Sequence, residues 1–331
     1  MKELAKRLLR SVAGGLPERA QAQVLQEFGD SGLFARLPEV TQARILEQLS
    51  VAMGPWRMLA QLVPRCRIDA IKVTGAYGTV QSAATDQVML PIYAETGRWA
   101  QRTNDLLISF FAERGAGHYV DVGANIGLTT IPVAQNPLVR CLAIEPEPVN
   151  FANLSANVAQ NCPHGNVELR RLALYSDRRT LKLELSTANL GDHRLRLAET
   201  AGRMKEETRA TTEIEAVPLD ELVREPAPPL AVKIDVQGAE PFVFAGGKKT
   251  LAAADLIIFE WAPYLMARLG GRVEAVTDLL RDNFASISLA EGEFGPPSAP
   301  EAAATATSRL LEMARRHADD PASSADVIAR K

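Results

Sequence analysis

The segment Asp121–Gly127 combines residue types that could bind a cofactor through backbone and carboxylate groups. It reads Asp-Val-Gly-Ala-Asn-Ile-Gly and continues a short apolar run, which predicts a strand entering a glycine turn. Glycines let the backbone approach a ligand closely, and the helix predicted after the turn aims its N–H groups at the same place. Glu145 lies 22 residues after Gly123, at the end of the next predicted strand, where a carboxylate can accept both hydroxyls of a ribose. The pattern therefore predicts a site for a ribose-containing cofactor.

Two such cofactors fit the arrangement, a nicotinamide dinucleotide and S-adenosylmethionine. The turn lacks the Gly-x-Gly-x-x-Gly pattern that accommodates a pyrophosphate. Asp121 precedes the first glycine, and its carboxylate would repel a phosphate but suits a ligand with ammonium and sulfonium groups. S-adenosylmethionine is therefore the favoured cofactor, and a nicotinamide oxidoreductase stays an alternative that lacks a Tyr-x-x-x-Lys pair.

An apolar surface for the adenine is predicted next to the ribose position. The third predicted strand ends in Leu172, Ala173 and Leu174, opposite Pro146. Core packing explains Leu174 at least as well. The predicted adenine contacts are therefore Pro146, Leu172 and Ala173.

Two further predicted strands end in charged residues. The fourth ends in Lys233-Ile234-Asp235-Val236, and the fifth ends in Phe259-Glu260-Trp261. Because unpaired buried charges are costly, Lys233 and Asp235 form either a structural ion pair or part of a site. The carboxyl ends of parallel strands meet at one edge of a sheet, so we expect Asp235, Val236 and Glu260 beside the cofactor.

These residues belong to a repeated strand–turn–helix pattern that begins near residue 105. Apolar strands are predicted at 118–123, 139–146, 166–174, 230–236, 256–261 and 284–290. Their alternation with helical stretches predicts βαβ units and a doubly wound, mostly parallel α/β sheet over residues 105–290. Residues 175–230 interrupt the pattern, and an insertion of this size at the working edge of a sheet is typical of a substrate lid.

The remaining segments flank this domain. Residues 1–65 are predicted to be a helical extension, which serves either as a dimerisation or docking module or as a cap on the main domain. Residues 66–104 predict a hairpin and a helix. Residues 291–331 form a Pro- and Ala-rich tail with a helix and a candidate edge strand in Ser-Ala-Asp-Val-Ile-Ala-Arg-Lys.

Composition excludes several classes of partner. The net charge of −3 gives no reason to expect nucleic acid, which attracts a basic surface. No apolar run approaches the roughly 20 residues that span a bilayer, so no stable membrane insertion is expected. Three widely spaced cysteines without a CxxC pair indicate reduced thiols, and hence a cytoplasmic location.

The combined motifs resemble the FkbM family of methyltransferases. The matching segments are DVGANIG (121–127), EPEPVNFANLSANV (145–158), LDEL (219–222), KIDVQGAE (233–240) and FEW (259–261), preceded by Asp86, Tyr93, Gly97 and Trp99. Three departures are visible. Gln237 stands where the family usually has Glu, Ala100 stands where an acidic residue is common, and residues 1–65 have no counterpart.

The resemblance implies a class I, Rossmann-like methyltransferase fold that uses S-adenosylmethionine. It implies that the methionine portion is held by Asp121, Gly123 and Gly127, in the motif that also contains Asn125. It implies further that Glu145 holds the ribose. It also implies O-methylation of a hydroxyl on a sugar, glycan or secondary metabolite.

A hydroxyl that receives a methyl group must lose its proton as the new bond forms. The candidate bases are Asp235, Glu260 and His193, with Glu240 less favoured. His193 lies in the insertion, where a solvated histidine is the alternative. Lys233 either pairs with an acid or holds an anionic group of the substrate. Several carboxylates at one edge could bind Mg²⁺, but no ligand spacing is recognisable and no metal is predicted.

Two other classes of function stay open. The chain could be a non-catalytic cofactor-binding scaffold. However, an inactive pocket would not require the residues Asp121, Gly123, Glu145 and Asp235, which are all present. The chain could also methylate protein or RNA, although RNA would favour a more basic surface.

Overall fold

The structure is a computed structural model of the 331-residue chain. It describes residues 69–187, 189–197, 202–291 and 296–331. The helical extension predicted over residues 1–65, with its suggested role in dimerisation, lies outside the described residues. In the described part of the chain, no helix is long and apolar enough to cross a membrane.

The first described elements are a hairpin and two helices. They are β1 (Ala70–Gly75), β2 (Gly78–Ala83), α1 (Met89–Thr96) and α2 (Gln101–Arg114). Gly97, with φ of 71°, ends α1 in the left-handed conformation that glycine adopts without strain. Helical structure continues beyond residue 104, the predicted end of this segment, because Leu107, Phe110 and Phe111 of α2 pack into the core.

The central domain continues with alternating strands and helices. These are β3 (Gly117–Val122), α3 (Thr130–Ala134), β4 (Val139–Ile144), α4 (Pro148–Asn161), β5 (Val167–Arg170), β6 (Ala173–Leu174), β7 (Arg179–Glu184), β8 (Arg194–Arg196), a 3₁₀ turn (Glu206–Thr208), β9 (Thr211–Val217), α5 (Leu219–Leu222), β10 (Leu230–Ile234), α6 (Glu240–Gly246), α7 (Lys248–Ala253), β11 (Leu256–Trp261), α8 (Pro263–Leu269), α9 (Glu274–Asn283), β12 (Ser286–Glu291), β13 (Glu301–Ala302), α10 (Ala303–Arg316) and β14 (Ala325–Arg330).

Eight of the strands form one sheet in the order β13-β12-β14-β11-β10-β3-β4-β5. The five strands β5, β4, β3, β10 and β11 run parallel, and β14 is antiparallel to both of its neighbours. All residues of β10 are buried, as expected for a parallel strand that is covered on both faces. The predicted doubly wound α/β fold is confirmed.

The insertion forms a sheet of its own. Its four strands lie in the order β6-β9-β7-β8, so the third predicted strand is divided between two sheets. β5 ends the parallel side of the main sheet, whereas Ala173 and Leu174 pair with β9. This division carries the insertion over the carboxyl edge of the main sheet.

The last strand does not lie at an edge, where the sequence analysis placed it as a candidate. β14 lies between β11 and β12, antiparallel to both. Its inner residues Val327, Ile328 and Ala329 are buried, because an inner strand needs apolar side chains on both faces. The position brings Asp326, near its start, to the carboxyl end of β11.

An asparagine face of α4 fixes the N-terminal hairpin to the domain. Asn157 and Asn161, four residues apart on one helix face, each donate to and accept from the main chain of β2. Asn157 Nδ2 also donates to the carbonyl of Ile126, 2.9 Å away. The hairpin and the glycine turn are therefore held by the same helix.

Candidate active site

A cavity of about 990 Å³ opens at the carboxyl ends of the parallel strands. It lies where the chain order of the sheet reverses, between β3 and β10, which is where doubly wound sheets bind ligands. The ends of β3, β4, β10 and β11 form its floor. Residues of α1, of the α1–α2 connection, of the insertion and of β14 form its other walls.

The structure brings most of the predicted site residues together around this cavity. Its lining includes Gly123, Asn125, Glu145, Pro146, Leu172, Ala173, His193, Lys233, Asp235, Val236 and Glu260. Asp121 and Gly127 are not part of the lining and lie behind it. These two residues support the wall of the cavity.

Asp121 is fully buried and organises the turn from within. Its Oδ2 accepts hydrogen bonds from the hydroxyls of Thr129 and Thr130, each 2.7 Å away. Its Oδ1 lies 3.3 Å from Nζ of Lys233. A buried carboxylate is stable here because it has both hydroxyl donors and a cation beside it.

Lys233 joins the floor of the cavity to Asp121. Its Nζ donates to the carbonyl of Gly123 at 2.8 Å and lies 3.7 Å from Oδ2 of Asp235. Burial lowers the pKa of Lys233, but the charges of Asp121 and Asp235 outweigh it and raise this pKa above its usual value. Lys233 is therefore a fixed cation within an ion-pair network.

Gly123 occupies a position that excludes any side chain. Its φ is 77°, and a Cβ atom built there would lie 1.9 Å from the carbonyl oxygen of Asp235. The turns that follow β3 and β10 can therefore touch only because residue 123 is glycine. Behind them, a Cβ atom on Gly127 (φ 95°) would lie 3.0 Å from Leu154 Cδ1, which makes that glycine a packing requirement.

We expect Gly123→Ala to separate these two turns, to lower the thermal unfolding midpoint by several degrees and to abolish cofactor binding. The matched control is Gly115→Ala, since Gly115 has a φ of 76° with no atom within 4 Å of its built Cβ. An alanine at position 115 has the same backbone strain from a positive φ, but its Cβ atom collides with no neighbouring atom. Calorimetry and thermal unfolding of both variants make the comparison, and equal effects would contradict the collision at Gly123.

Glu145 directly follows β4, and its carboxylate lies in the cavity wall. Its Oε2 accepts from the backbone N–H of Asn125 and its Oε1 from that of Glu147, both at 2.9 Å. Burial outweighs these hydrogen bonds and raises the pKa of Glu145 to about 7. Asn125, with φ of 52°, turns its N–H toward this carboxylate. The carboxylate is thus oriented by main-chain donors and has lone pairs left for a ligand.

The insertion is clamped over this region by two amides. Asn125 Nδ2 and Asn150 Nδ2 donate to the same carbonyl, that of Leu190, at 3.1 and 2.8 Å. The Leu190 side chain is buried in the same core cluster as Met89 of α1. The insertion therefore closes one side of the cavity in the manner of a lid.

Asp235 and Glu260 meet on the other side of the cavity and are bridged by Gln237. The Gln237 Nε2 atom donates to Asp235 Oδ1 at 2.9 Å and to Glu260 Oε2 at 3.3 Å. Burial, followed by the charges of Asp235 and Asp326, raises the pKa of Glu260 to about 7. The departure from the family pattern thus has a physical role, because a glutamate at 237 could not donate to both carboxylates.

Three residues beside this pair were missed by the sequence analysis. Arg102 of α2 forms an ion pair with Asp326 of β14, and both line the cavity together with Ser324. Burial raises the pKa of Asp326, and the guanidinium of Arg102 opposes that rise. No signal in the sequence joins these residues, because the contact spans 224 positions and neither element belongs to the repeated pattern.

Glu240 lies beneath the site, and we expect it to make stability depend on pH. It is fully buried, only its Oε1 is bonded among the described residues, and burial raises its pKa to about 8. The folded state therefore keeps a proton that the unfolded chain has lost, so wild-type stability decreases from about pH 4.5 to 8. We expect Glu240→Gln to show a shallower decrease in unfolding experiments between pH 5 and 8. A parallel decrease in the two proteins would contradict this role.

Among the residues that the structure describes, no group of three or more His, Cys, Asp or Glu side chains could hold a metal ion. The carboxylates of Asp235, Glu260 and Asp326 are engaged instead by Gln237, Lys233 and Arg102.

Comparison with known proteins identifies the domain. Residues 121–283 match the model of the methyltransferase FkbM domain. Comparison with curated proteins gives no match. Among solved structures, the chain is similar to precorrin-6Y C5,15-methyltransferase from Geobacter metallireducens, with 13% identity over 70% of this chain and 88% of that chain and a TM-score of 0.36. It is also similar to the METTL16 methyltransferase domain, with 9% identity over 84% and 79% of the two chains and a TM-score of 0.40. Nothing further follows from likenesses this low.

The strand order, the position of the cavity where the chain order of the sheet reverses, and the family match all indicate the same class of protein. The protein has the class I methyltransferase fold, and residues 121–283 are a methyltransferase FkbM domain. S-adenosylmethionine is its methyl donor. The predicted family, fold and cofactor are confirmed.

Proposed function

We propose that this protein is an O-methyltransferase that transfers a methyl group to a hydroxyl of a sugar, glycan or secondary metabolite. The observation that carries the proposal is the Asp235–Glu260 pair, bridged by Gln237, in the same cavity as Glu145 and the glycine turn. One part of the cavity then holds the cofactor and the other offers a base to the acceptor.

The chemistry of the cavity suits S-adenosylmethionine. Glu145, Asp235 and Glu260 border it, which favours sulfonium and ammonium groups and disfavours a pyrophosphate. The carboxylate of Glu145 is placed to accept the ribose hydroxyls. When bound, the cofactor supplies an electrophilic methyl group.

The predicted cofactor residues divide into contacts and supports. Pro146, Leu172 and Ala173 provide the apolar surface for the adenine, and Val236 extends the floor beside the carboxylates. Gly123 and Asn125 offer main chain to the methionine portion. Asp121 and Gly127 act from behind the wall, by fixing Lys233 and the packing of the turn.

Glu260 is the proposed base. Its carboxyl has a pKa of about 7, so near neutral pH it is both partly ionised and basic enough to take the proton of a hydroxyl. Asp235 keeps this pKa high through its charge, and Gln237 fixes the distance between the two carboxylates. Lys233 is excluded as a base because its amine is held as a cation.

The acceptor side of the cavity favours a neutral, hydroxylated molecule over an anion. Asp235, Glu260 and Asp326 bring three carboxylates there, whereas Lys233 and Arg102 are each engaged with carboxylates of the protein. Trp99, half-buried in the wall, adds an aromatic surface. A cytoplasmic location and dimerisation through residues 1–65 stay predictions from the sequence.

The proposal is tested by incubating the full chain with isotopically labelled S-adenosylmethionine and a panel of monosaccharides, glycans and polyhydroxylated metabolites. Mass spectrometry and nuclear magnetic resonance (NMR) then locate the added methyl group. Methylation at oxygen supports the proposal, and transfer to nitrogen or carbon overturns it. Tight cofactor binding without transfer to any member of the panel, or to protein or RNA, would favour the alternative of a non-catalytic scaffold.

A further inference from the structure

His193 faces the cavity from the insertion sheet. It lies immediately before β8 (Arg194–Arg196) and is part of the cavity lining. Leu195 pairs with Leu183 across β7 and β8, and both of these leucines line the cavity together with His193. The hairpin therefore presents the imidazole toward the ligand space.

The ring is fixed by a main-chain hydrogen bond. The backbone N–H of Ser186 donates to Nδ1 of His193 at 3.0 Å. A neutral imidazole carries one proton, so accepting at Nδ1 places that proton on Nε2. Within the described part of the chain, Nε2 itself has no hydrogen-bond partner. The ring thus offers one N–H donor.

The surroundings keep the ring neutral. Burial lowers the pKa of His193 to about 4, with Asp192 raising it and the guanidinium of Arg209 lowering it further. Arg209 is itself bound to Asp192, which weakens the attraction that this carboxylate has for a second cation. A ring that already carries its Nε2 proton and resists a second one cannot serve as the base near neutral pH.

The ring and the proposed base line the same cavity. His193 contributes to the lining from the insertion, and Glu260 contributes from the end of β11. The two residues therefore border one ligand space.

We propose that His193 is an acceptor-binding residue whose Nε2–H donates a hydrogen bond to an oxygen atom of the molecule that is methylated. The proposal rests on the proposed function, and it replaces the role of base that the sequence suggested for this histidine. A donor on the lid and a carboxylate on the floor would each contact an oxygen of one polyhydroxylated acceptor, so His193 contributes to the affinity for that acceptor.

The first test needs no acceptor. Long-range ¹H–¹⁵N correlation spectra of the full chain with ¹⁵N-labelled histidine distinguish the two tautomers, and His193→Gln identifies the signal among the four histidines. We expect His193 to be protonated on Nε2 and unchanged between pH 5.5 and 9. Protonation on Nδ1, or a titration midpoint between 6 and 7, overturns the proposal whether or not the chain transfers methyl groups.

The second test uses whichever hydroxylated compound is methylated in the panel above. We expect His193→Ala to raise its KM about 3- to 10-fold while kcat and the pH profile stay unchanged, as for the loss of one neutral hydrogen bond. His193→Gln, which retains an N–H donor, should restore most of the affinity. An unchanged KM overturns the contact, and a kcat that falls more than 100-fold overturns the donor role in favour of a base. Failure of the proposed function itself would show separately, as the absence of any transfer by the wild type.

Discussion

Replacing Glu260 by glutamine is expected to lower kcat about 10²- to 10⁴-fold, because the amide cannot take the proton of the acceptor hydroxyl. The wild-type rate should fall about tenfold for each pH unit below about 7, since the pKa of Glu260 is raised to about 7 and only the ionised form is a base. The residual activity of the variant should not show this decrease at low pH, which we call the acid limb of the pH profile. Steady-state rates between pH 5 and 9, with the methylated acceptor found in the panel, measure both effects.

The control for this substitution separates chemistry from binding. Glutamine keeps the size of Glu260, so affinity for S-adenosylhomocysteine and the unfolding midpoint should change little. In Asp235→Asn, the loss of the neighbouring charge should move the acid limb to lower pH, since that charge raises the pKa of Glu260. An unchanged kcat in Glu260→Gln, or an acid limb that stays in place in Asp235→Asn, would contradict Glu260 as the base.

Glu145→Ala is expected to weaken binding of S-adenosylhomocysteine by about 10²-fold or more. Two hydroxyls bonded to a carboxylate contribute about 1.5–3 kcal/mol each, and every 1.4 kcal/mol is tenfold in affinity. The wild-type affinity should also decrease as the pH falls below about 7, because the pKa of Glu145 is raised to about 7 by burial and a protonated carboxyl accepts hydroxyls less well. Calorimetric titrations at pH 6 and 8 measure both changes.

Glu147 provides a matched control two residues away. Its Oε2 caps α4 by accepting from the N–H of Asn150 at 2.6 Å, and its side chain is not part of the cavity lining. Glu147→Ala should therefore lower stability by about 1 kcal/mol, as for a lost helix cap, with little effect on affinity. Equal losses of affinity in the two variants would indicate that Glu145 acts only through the local structure.

The positions of the strand ends could be predicted because the chain repeats one pattern. Gly123, Glu145, Asp235 and Glu260 each end or follow an apolar run, and a parallel sheet collects such ends at one edge. The same rule placed Asp121 beside them, but its side chain points into the core. Successive side chains of a strand point to opposite faces of the sheet. Asp121 therefore lies on the opposite face from Val122, the last residue of β3, and is fully buried.

Contacts between distant elements could not be predicted in this way. The ion pair of Arg102 with Asp326 depends on β14 entering the sheet beside β11, and no local pattern distinguishes this inner position from an edge. Similarly, the chemistry of His193 depends on where the N–H of Ser186 lies, and the sequence alone leaves a base or a solvated histidine as the alternatives. The role of Gln237 depends on the distance between two carboxylates on neighbouring strands.

The most direct test is calorimetric titration of the full chain with S-adenosylmethionine, S-adenosylhomocysteine and NAD. The fold, the carboxylates around the cavity and the glycine turn at Gly123 predict micromolar binding of both adenosyl compounds and none of NAD. Binding of NAD with no binding of either adenosyl compound would contradict the assignment of this cavity to the methyl donor.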